Sequence, residues 1–290
     1  MVRLYQLIQG RCRVNLKNRL RRSIFGDLFR YFHTGIQLVA RNKKNVLGFY
    51  FNGQSQMRKG LFEPETVNFF LQEFKTAKLF VDIGAHHGYF TCLANYSGVP
   101  KVISVEPDRL NFKFLRKNVT QNKFIKNSEL INMAVGEIKG ELEIFGFGTG
   151  VSFRKTWGGN VSKRRAIVMM DSLDSLLISE IPLENAVVKI DVEGFELLVI
   201  KGALNVIKTA KNSTFFVEIS LLLDQNESVT KQAAPGVEQL ISIFLSAGYG
   251  MFRISELSSN LVLLNDQELD SLSRNLQNYG GSNYVFKRIG

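Results

Sequence analysis

The sequence predicts an α/β fold: a doubly wound, mostly parallel sheet carrying a basic, helical N-terminal extension. Three observations predict it. Short apolar runs alternate with amphipathic helical stretches at least five times, the pattern of repeated strand-helix units. The runs are continuously apolar, as in strands covered by helices on both faces. Eleven of the 37 basic residues crowd into the first 50 positions beside a single acid, Asp27.

The elements follow in order. Residues 61–74 read LFEPETVNFFLQEF. Pro64 suits a first helical position, and Val67, Phe70, Leu71 and Phe74 recur at one-face spacing. Residues 79–83 form a buried strand ending at a glycine turn, and a helix follows over 89–96. A second strand spans 102–105, and Asp108 can cap a helix running to Gln121. A third strand is expected over 130–135, and an alternating strand outside the central repeat over 141–147. A fourth central strand at 186–190 leads into a helix over 195–207. A fifth lies at 215–219, and Pro235 introduces a helix over 236–246. Residues 249–254 and 284–286 supply the last strands. Residues 1–60 are read as the extension and 61–290 as one catalytic-type domain.

Composition excludes several classes. A chain with 45% hydrophobic and 22% charged residues is globular rather than disordered. Two distant cysteines, Cys12 and Cys92, rule out a disulfide scaffold and a cysteine-rich zinc module, and predict a reducing, cytoplasmic setting. No apolar run approaches the roughly 18 residues of a membrane-spanning helix. Residues 1–50 carry a net charge of +10 of the chain's +11, so the body is close to neutral. Two readings of that segment stand together. It is a helix packed on the domain with a solvated basic face, or a basic amphipathic segment docking on a membrane surface or an acidic partner.

In doubly wound sheets ligands bind beyond the carboxyl ends of the strands. The first strand is followed by VDIGAHHGYFT, with Asp82, Gly84, Ala85, His86 and Gly88. The glycines allow a tight turn and close backbone approach to a ligand. A dinucleotide turn wants glycine where His86 stands. Asp82 would repel a pyrophosphate and attract an ammonium group, which favours an amino-acid-bearing nucleoside. The second strand ends in VEPD, where Glu106 is placed to accept ribose hydroxyl protons. The fourth ends in KIDVEGFE, with Lys189, Asp191, Glu193 and Glu196, and the fifth in FFVEIS, with Glu218. Carboxylates on one rim point to cation recognition, a metal or a general base, with capping of the following helices as the competing reading.

These motifs carry a resemblance. DxGxxxG with an acid after the second strand resembles the class I, Rossmann-like S-adenosylmethionine-dependent methyltransferases. More narrowly, LFEPET, VDIGAHHGYFT, VISVEPD, NMAVGE, the Ser152 region, SLDSL and VVKIDVEGFELLVIKGA resemble the FkbM family of methyltransferases over about 61–220. The resemblance implies a seven-stranded sheet, S-adenosylmethionine as cosubstrate, and O-methylation of a hydroxyl on a sugar, glycan or secondary metabolite. It implies Asp82, Gly84 and Gly88, with Ala85 and His86 in the same turn, around the donor's methionine part. It places Glu106 on the ribose, Asn132 and Ala134 near the adenine, and Asp191 beside the transferring methyl. One departure is His86, where the family usually carries Asn. An imidazole there can titrate near neutral pH.

Asp191 is the first candidate for base or acceptor-orienting group, with His86 and His87 as rivals and Glu193 as an orienting group. A divalent cation on Asp191, Glu193 and Glu218 would acidify a hydroxyl, but no His-carboxylate ligand spacing supports one and no metal site is predicted. Tyr89 and Phe90 are read as core rather than as a cover for a sulfonium. The loop 153–166, basic around Trp157, is either a phosphate-sugar contact or a solvated loop. A nucleic-acid methyltransferase is the enzyme rival. It is disfavoured because IDVEG stands where an Asn/Asp-Pro-Pro-aromatic motif would be, and because the basic excess lies outside the body. A non-catalytic donor-binding or docking protein is the other class.

Overall fold

A computed structural model describes residues 43–146, 165–219, 227–255, 260–274 and 282–289. The basic extension up to residue 42, Ser152 and loop residues 153–164 lie outside the described residues. The chain divides into two units, Met1–Arg41 and Asn42–Gly290. That division falls before the boundary expected at residue 60. Phe49, Phe51 and Met57 are 1%, 0% and 5% exposed and share a core with Phe70 and Phe80, so residues 43–60 are part of the folded unit.

The elements are β1 (Lys43–Lys44), β2 (Tyr50–Phe51), α1 (Ser55–Lys59), α2 (Pro64–Glu73), β3 (Leu79–Ile83), α3 (Tyr89–Tyr96), β4 (Lys101–Val105) and α4 (Arg109–Gln121). After a 3₁₀ turn come β5 (Ser128–Ile131), β6 (Ala134–Gly136), β7 (Gly140–Phe145), β8 (Arg165–Ser172), α5 (Leu173–Leu176), β9 (Ala186–Ile190), α6 (Glu196–Lys201) and α7 (Leu204–Thr209). The described part of the chain ends with β10 (Thr214–Ile219), α8 (Glu227–Ser246), β11 (Tyr249–Ile254), β12 (Leu261–Leu263), α9 (Asp266–Arg274) and β13 (Ser282–Arg288).

The main sheet runs β12-β11-β13-β10-β9-β3-β4-β5. Strands β5, β4, β3, β9 and β10 are parallel neighbours, and β13 enters antiparallel between β10 and β11. Seven strands give the doubly wound sheet, and the short β12 adds an eighth at one edge. The chain moves outward from β3 to β4 and β5, then returns to β9 on the other side of β3. The switch point therefore lies between β3 and β9, where a ligand crevice opens.

Residues alternate between the faces of the sheet. Val81, Ile83, Val188, Ile190, Phe215 and Val217 enter one core, whereas Phe80, Val187 and Phe216 enter the other with Phe70, Phe90 and Leu93. By the same alternation Asp82, Lys189 and Glu218 occupy positions on the second face that a hydrophobe would otherwise fill.

Three expectations need correction. The third strand breaks in two, because Asn132 leaves the ladder and donates its amide to the carbonyls of Glu106 (2.7 Å) and Pro107 (3.0 Å). Strand β6 then joins β8 and β7 in a separate three-stranded sheet. The helix expected over 195–207 splits at Gly202, whose position admits no side chain: a Cβ there would lie 1.9 Å from the Gly136 carbonyl oxygen. Helix α8 starts at Glu227 and passes through Pro235 rather than starting after it.

Candidate active site

A cleft of about 270 Å³ opens at the carboxyl ends of β3, β4, β9 and β10. Asp82, Gly84, Ala85, His86, Glu106, Asp191 and Glu193 line it, together with Glu63, Lys189, Glu218 and the rings of Phe62, Tyr89 and Phe90.

The glycine turn shapes its floor. Gly84 has φ +80°, and a Cβ on it would stand 1.8 Å from the Asp191 carbonyl oxygen. The amides of Gly84 and Ala85 both donate to the Val105 carbonyl at 3.0 Å, fastening the turn to β4. Gly88 serves differently. It starts α3 in the left-handed region and presses on α4, where a Cβ would meet Leu115 Cδ1 at 2.5 Å. Gly88, Asn132 and Ala134 do not line the cleft. Asn132 clamps the turn after β4, and Ala134 is buried in β6.

Glu106 is 4% exposed. Its Oε2 accepts from the His86 amide at 2.8 Å, and Oε1 accepts from the Asp108 amide at 2.9 Å and the Asn111 side-chain amide at 3.4 Å. Burial pushes its carboxyl up to about 8 against the pull of those amides. The same turn caps α4, as the sequence predicts, with Asp108 accepting from the Leu110 and Asn111 amides at 3.0 Å.

The floor holds a buried charge network. Asp82 and Lys189 are register partners across β3 and β9, 1% and 3% exposed. Lys189 Nζ pairs with Asp191 Oδ2 at 2.7 Å and lies 5.3 Å from the Phe90 ring centroid. Burial alone would lower this lysine, yet Asp191 and Asp82 hold its ammonium above the usual lysine range. The Thr91 hydroxyl donates to Asp82 Oδ2 at 2.7 Å, and Oδ1 is buried with no partner in the protein. Desolvation raises Asp82 despite Lys189 and Thr91.

Glu218, the penultimate residue of β10, lies level with Asp191. The Asp191 charge, then burial, push it up to about 9. Glu196 begins α6 and reaches back to accept from the Gly194 amide at 2.8 Å, supporting the left-handed Glu193–Gly194 turn. Burial lifts it to about 8. Glu63 turns into the cleft from a left-handed position before α2, and burial raises it too. Glu63, His86 and Glu193 all have positive φ at this one site, a concentration of strain typical of functional constellations. The sequence does flag Lys189: a lone lysine inside an otherwise apolar parallel strand requires a carboxylate partner.

The histidines depart from expectation. His86 stacks on His87 with centroids 3.9 Å apart, and His87 on Phe114 at 4.3 Å. Burial, reinforced by Lys189, pushes His86 down to about 4, so it does not titrate near neutrality. Burial and the neighbouring His86 also lower His87, which packs as core. Tyr89 and Phe90 are buried among Phe49, Phe51, Phe62 and Phe70 while also lining the cleft. Among the described residues no group of His, Cys, Asp and Glu side chains is arranged to hold a metal ion.

Most of this site falls within a recognised sequence domain: residues 82–251 match the Methyltransferase FkbM domain. The chain belongs to the FkbM methyltransferase family. The family and the fold are those of S-adenosylmethionine-dependent methyltransferases. Among solved structures, the chain is similar to the FkbM methyltransferase of Methylobacillus flagellatus KT at 14% identity and TM-score 0.43, covering 90% of this chain and 60% of that one. The chain thus spans less than two thirds of that protein's length. It is also similar to an O-methyltransferase from Bacillus cereus solved with S-adenosylhomocysteine, at 10% identity and TM-score 0.43, covering 80% and 84% of the two chains. A third is TomG from Streptomyces achromogenes, an O-methyltransferase involved in tomaymycin synthesis and solved with S-adenosylmethionine. It is 8% identical, with TM-score 0.43 and coverage of 77% and 78%. No curated protein matches the sequence. Among the described residues no helix is long and apolar enough to cross a membrane.

Proposed function

We propose that this FkbM-family protein transfers a methyl group from S-adenosylmethionine to a hydroxyl of a small-molecule or glycan acceptor, a sugar or a secondary metabolite. The observation that carries the reading is the meeting of Asp82, Glu106 and Asp191 in one cleft at three strand ends. The buried, partnerless Oδ1 of Asp82 fits the donor's ammonium group. Glu106 fits a pair of ribose hydroxyls, which can donate to its carboxylate. S-adenosylmethionine, when bound, supplies an electrophilic methyl on a sulfonium.

The chain's own contribution is alignment and proton removal. Holding acceptor and donor in line is worth roughly 7–11 kcal/mol of barrier. A hydroxyl is a weak nucleophile until its proton is accepted. Asp191 is suited to accept it: Lys189 holds Oδ2, leaving Oδ1 for the acceptor. Glu193, in a strained turn two residues on, orients the acceptor. His86 is a poor base here because burial keeps its imidazolium unstable.

Calorimetric titration with S-adenosylhomocysteine tests the reading. Wild type should bind and Glu106→Ala should bind at least about tenfold more weakly, the loss of one hydrogen-bonding carboxyl group. No binding to wild type would sink it.

A further inference from the structure

Asp191 and Glu218 stand side by side at the switch point. The last register pair of β9 and β10 is Ile190 with Val217. The next residues are Asp191 and Glu218, and both line the cleft. Lys189 pairs directly with Asp191 at 2.7 Å, while Glu218 has no direct ion pair among the described residues and feels Lys189 from farther away. Two adjacent carboxylates in a partly dry cleft cannot both stay ionised without further positive charge.

We propose that Glu218 is the proton store of the cleft: it gives up its proton when the donor's sulfonium binds beside Asp191, and the pair regains one from the acceptor hydroxyl. The proposal rests on the methyltransferase reading above. Charge accounts for it throughout the cycle. Before binding, the pair holds one proton and one negative charge, matched by Lys189. The arriving sulfonium is the missing cation, and the proton leaves to solvent. In transfer the acceptor oxygen forms its bond to the methyl carbon, and the sulfur takes back the electron pair of the broken C–S bond. The hydroxyl proton passes to Asp191 and is shared with Glu218. Sulfonium charge and one carboxylate charge vanish together, so the set of Asp191, Glu218, Lys189 and the sulfonium keeps the same net charge across the transfer.

Among the described residues, other titratable groups surround this pair on neighbouring elements. Asp82 on β3 is tied to Lys189 and Thr91. Glu196 on α6 is held by the Gly194 amide. Glu63 before α2 and Glu193 after β9 line the same cleft. His86 stays neutral. Asp191 is the largest influence on Glu218 and raises it.

The experiment needs no acceptor. S-adenosylmethionine and S-adenosylhomocysteine are titrated calorimetrically into the full-length protein at pH 7.5, in phosphate and in Tris, so that the buffer dependence of the heat counts protons. The sulfonium ligand should release roughly 0.5–1 proton per site more than its neutral counterpart. Glu218→Gln should abolish the difference while keeping S-adenosylhomocysteine affinity within about threefold, and Glu218→Asp should restore it. Equal proton counts for the two ligands in wild type overturn the proton store alone. A difference that persists in a Glu218→Gln variant still binding S-adenosylhomocysteine overturns the assignment to Glu218. Failure of wild type to bind S-adenosylhomocysteine instead overturns the donor-site reading beneath it.

Discussion

The carbonyl oxygen of Asp191 stands 1.8 Å from where a Cβ on Gly84 would be. The turn after β3 and the turn after β9 touch backbone to backbone, with the Asp191 amide donating to the Ile83 carbonyl at 3.0 Å. Whatever binds at Asp82 and whatever reacts at Asp191 are therefore held in one rigid frame.

Gly84→Ala should separate the two strand ends. The substitution forces alanine into φ +80° and against a backbone atom that cannot swing aside. A loss of about 3 kcal/mol in urea unfolding is expected, with S-adenosylhomocysteine binding abolished. A variant that binds normally would show that the two turns move apart freely.

Glu196 gives the cleanest pH test, since the proposed chemistry does not use it. Its folded-state carboxyl is raised to about 8 from the ordinary 4.5. The folded state therefore holds this proton more tightly than the unfolded chain. Its stability contribution is complete below about pH 4.5 and is lost as pH rises toward 8. Glu196→Gln keeps an acceptor for the Gly194 amide and removes the titration. The slope of unfolding free energy against pH between 5 and 7.5 should become less negative by roughly 1 kcal/mol per unit. An unchanged slope would mean that Glu196 is ionised in the fold.

Lys189→Met leaves Asp82 and Asp191 in the cleft without their cation. A loss of about 3 kcal/mol is expected at pH 8, the scale for removing one partner of a buried pair. Asp82, which Lys189 holds down, should then keep its proton more tightly than in wild type. The deficit should accordingly shrink as pH falls toward 5, which urea midpoints at several pH values would register. A deficit independent of pH would assign Lys189 to packing alone.

Much of this architecture is legible in the sequence because strand ends are punctuated. Asp82, Glu106, Asp191 and Glu218 each follow an apolar run, and doubly wound topology gathers such residues at one rim. Position within the run carried less information than it should. Asp82 and Lys189 share the face of Phe80 and Val187, and only the register shows that they face each other. Strand β8 is not legible in the sequence because its exposed face is apolar, with Ile167 and Met169 70% and 49% exposed, which blurs the alternation. The breaks at Asn132 and Gly202 arise from contacts distant in sequence, with Glu106 and Gly136. Gly88 packs against Leu115, a contact that its place in the glycine turn does not announce.

His86 separates two accounts of the turn. If the imidazole were the base, its replacement would abolish methyl transfer. The structure argues otherwise. What His86 gives the site is its amide, which donates to Glu106. Its Nε2 is buried without a partner, a cost of about 1–3 kcal/mol, offset by about 0.5–1.5 kcal/mol from stacking on His87. Its backbone, at φ +51°, suits asparagine at least as well. His86→Asn should therefore keep S-adenosylhomocysteine affinity within about threefold, and keep stability at pH 7.5 within about 1 kcal/mol. At lower pH the two proteins should diverge. The folded imidazole is depressed to about 4 from 6.5, so the unfolded chain takes up its proton first. Wild type loses this contribution as pH falls through that window, and the variant does not. By pH 5 the variant should have gained about 2 kcal/mol on wild type in urea unfolding. Parallel pH profiles would mean that His86 is charged or solvated in the fold, and would return it to the list of candidate bases.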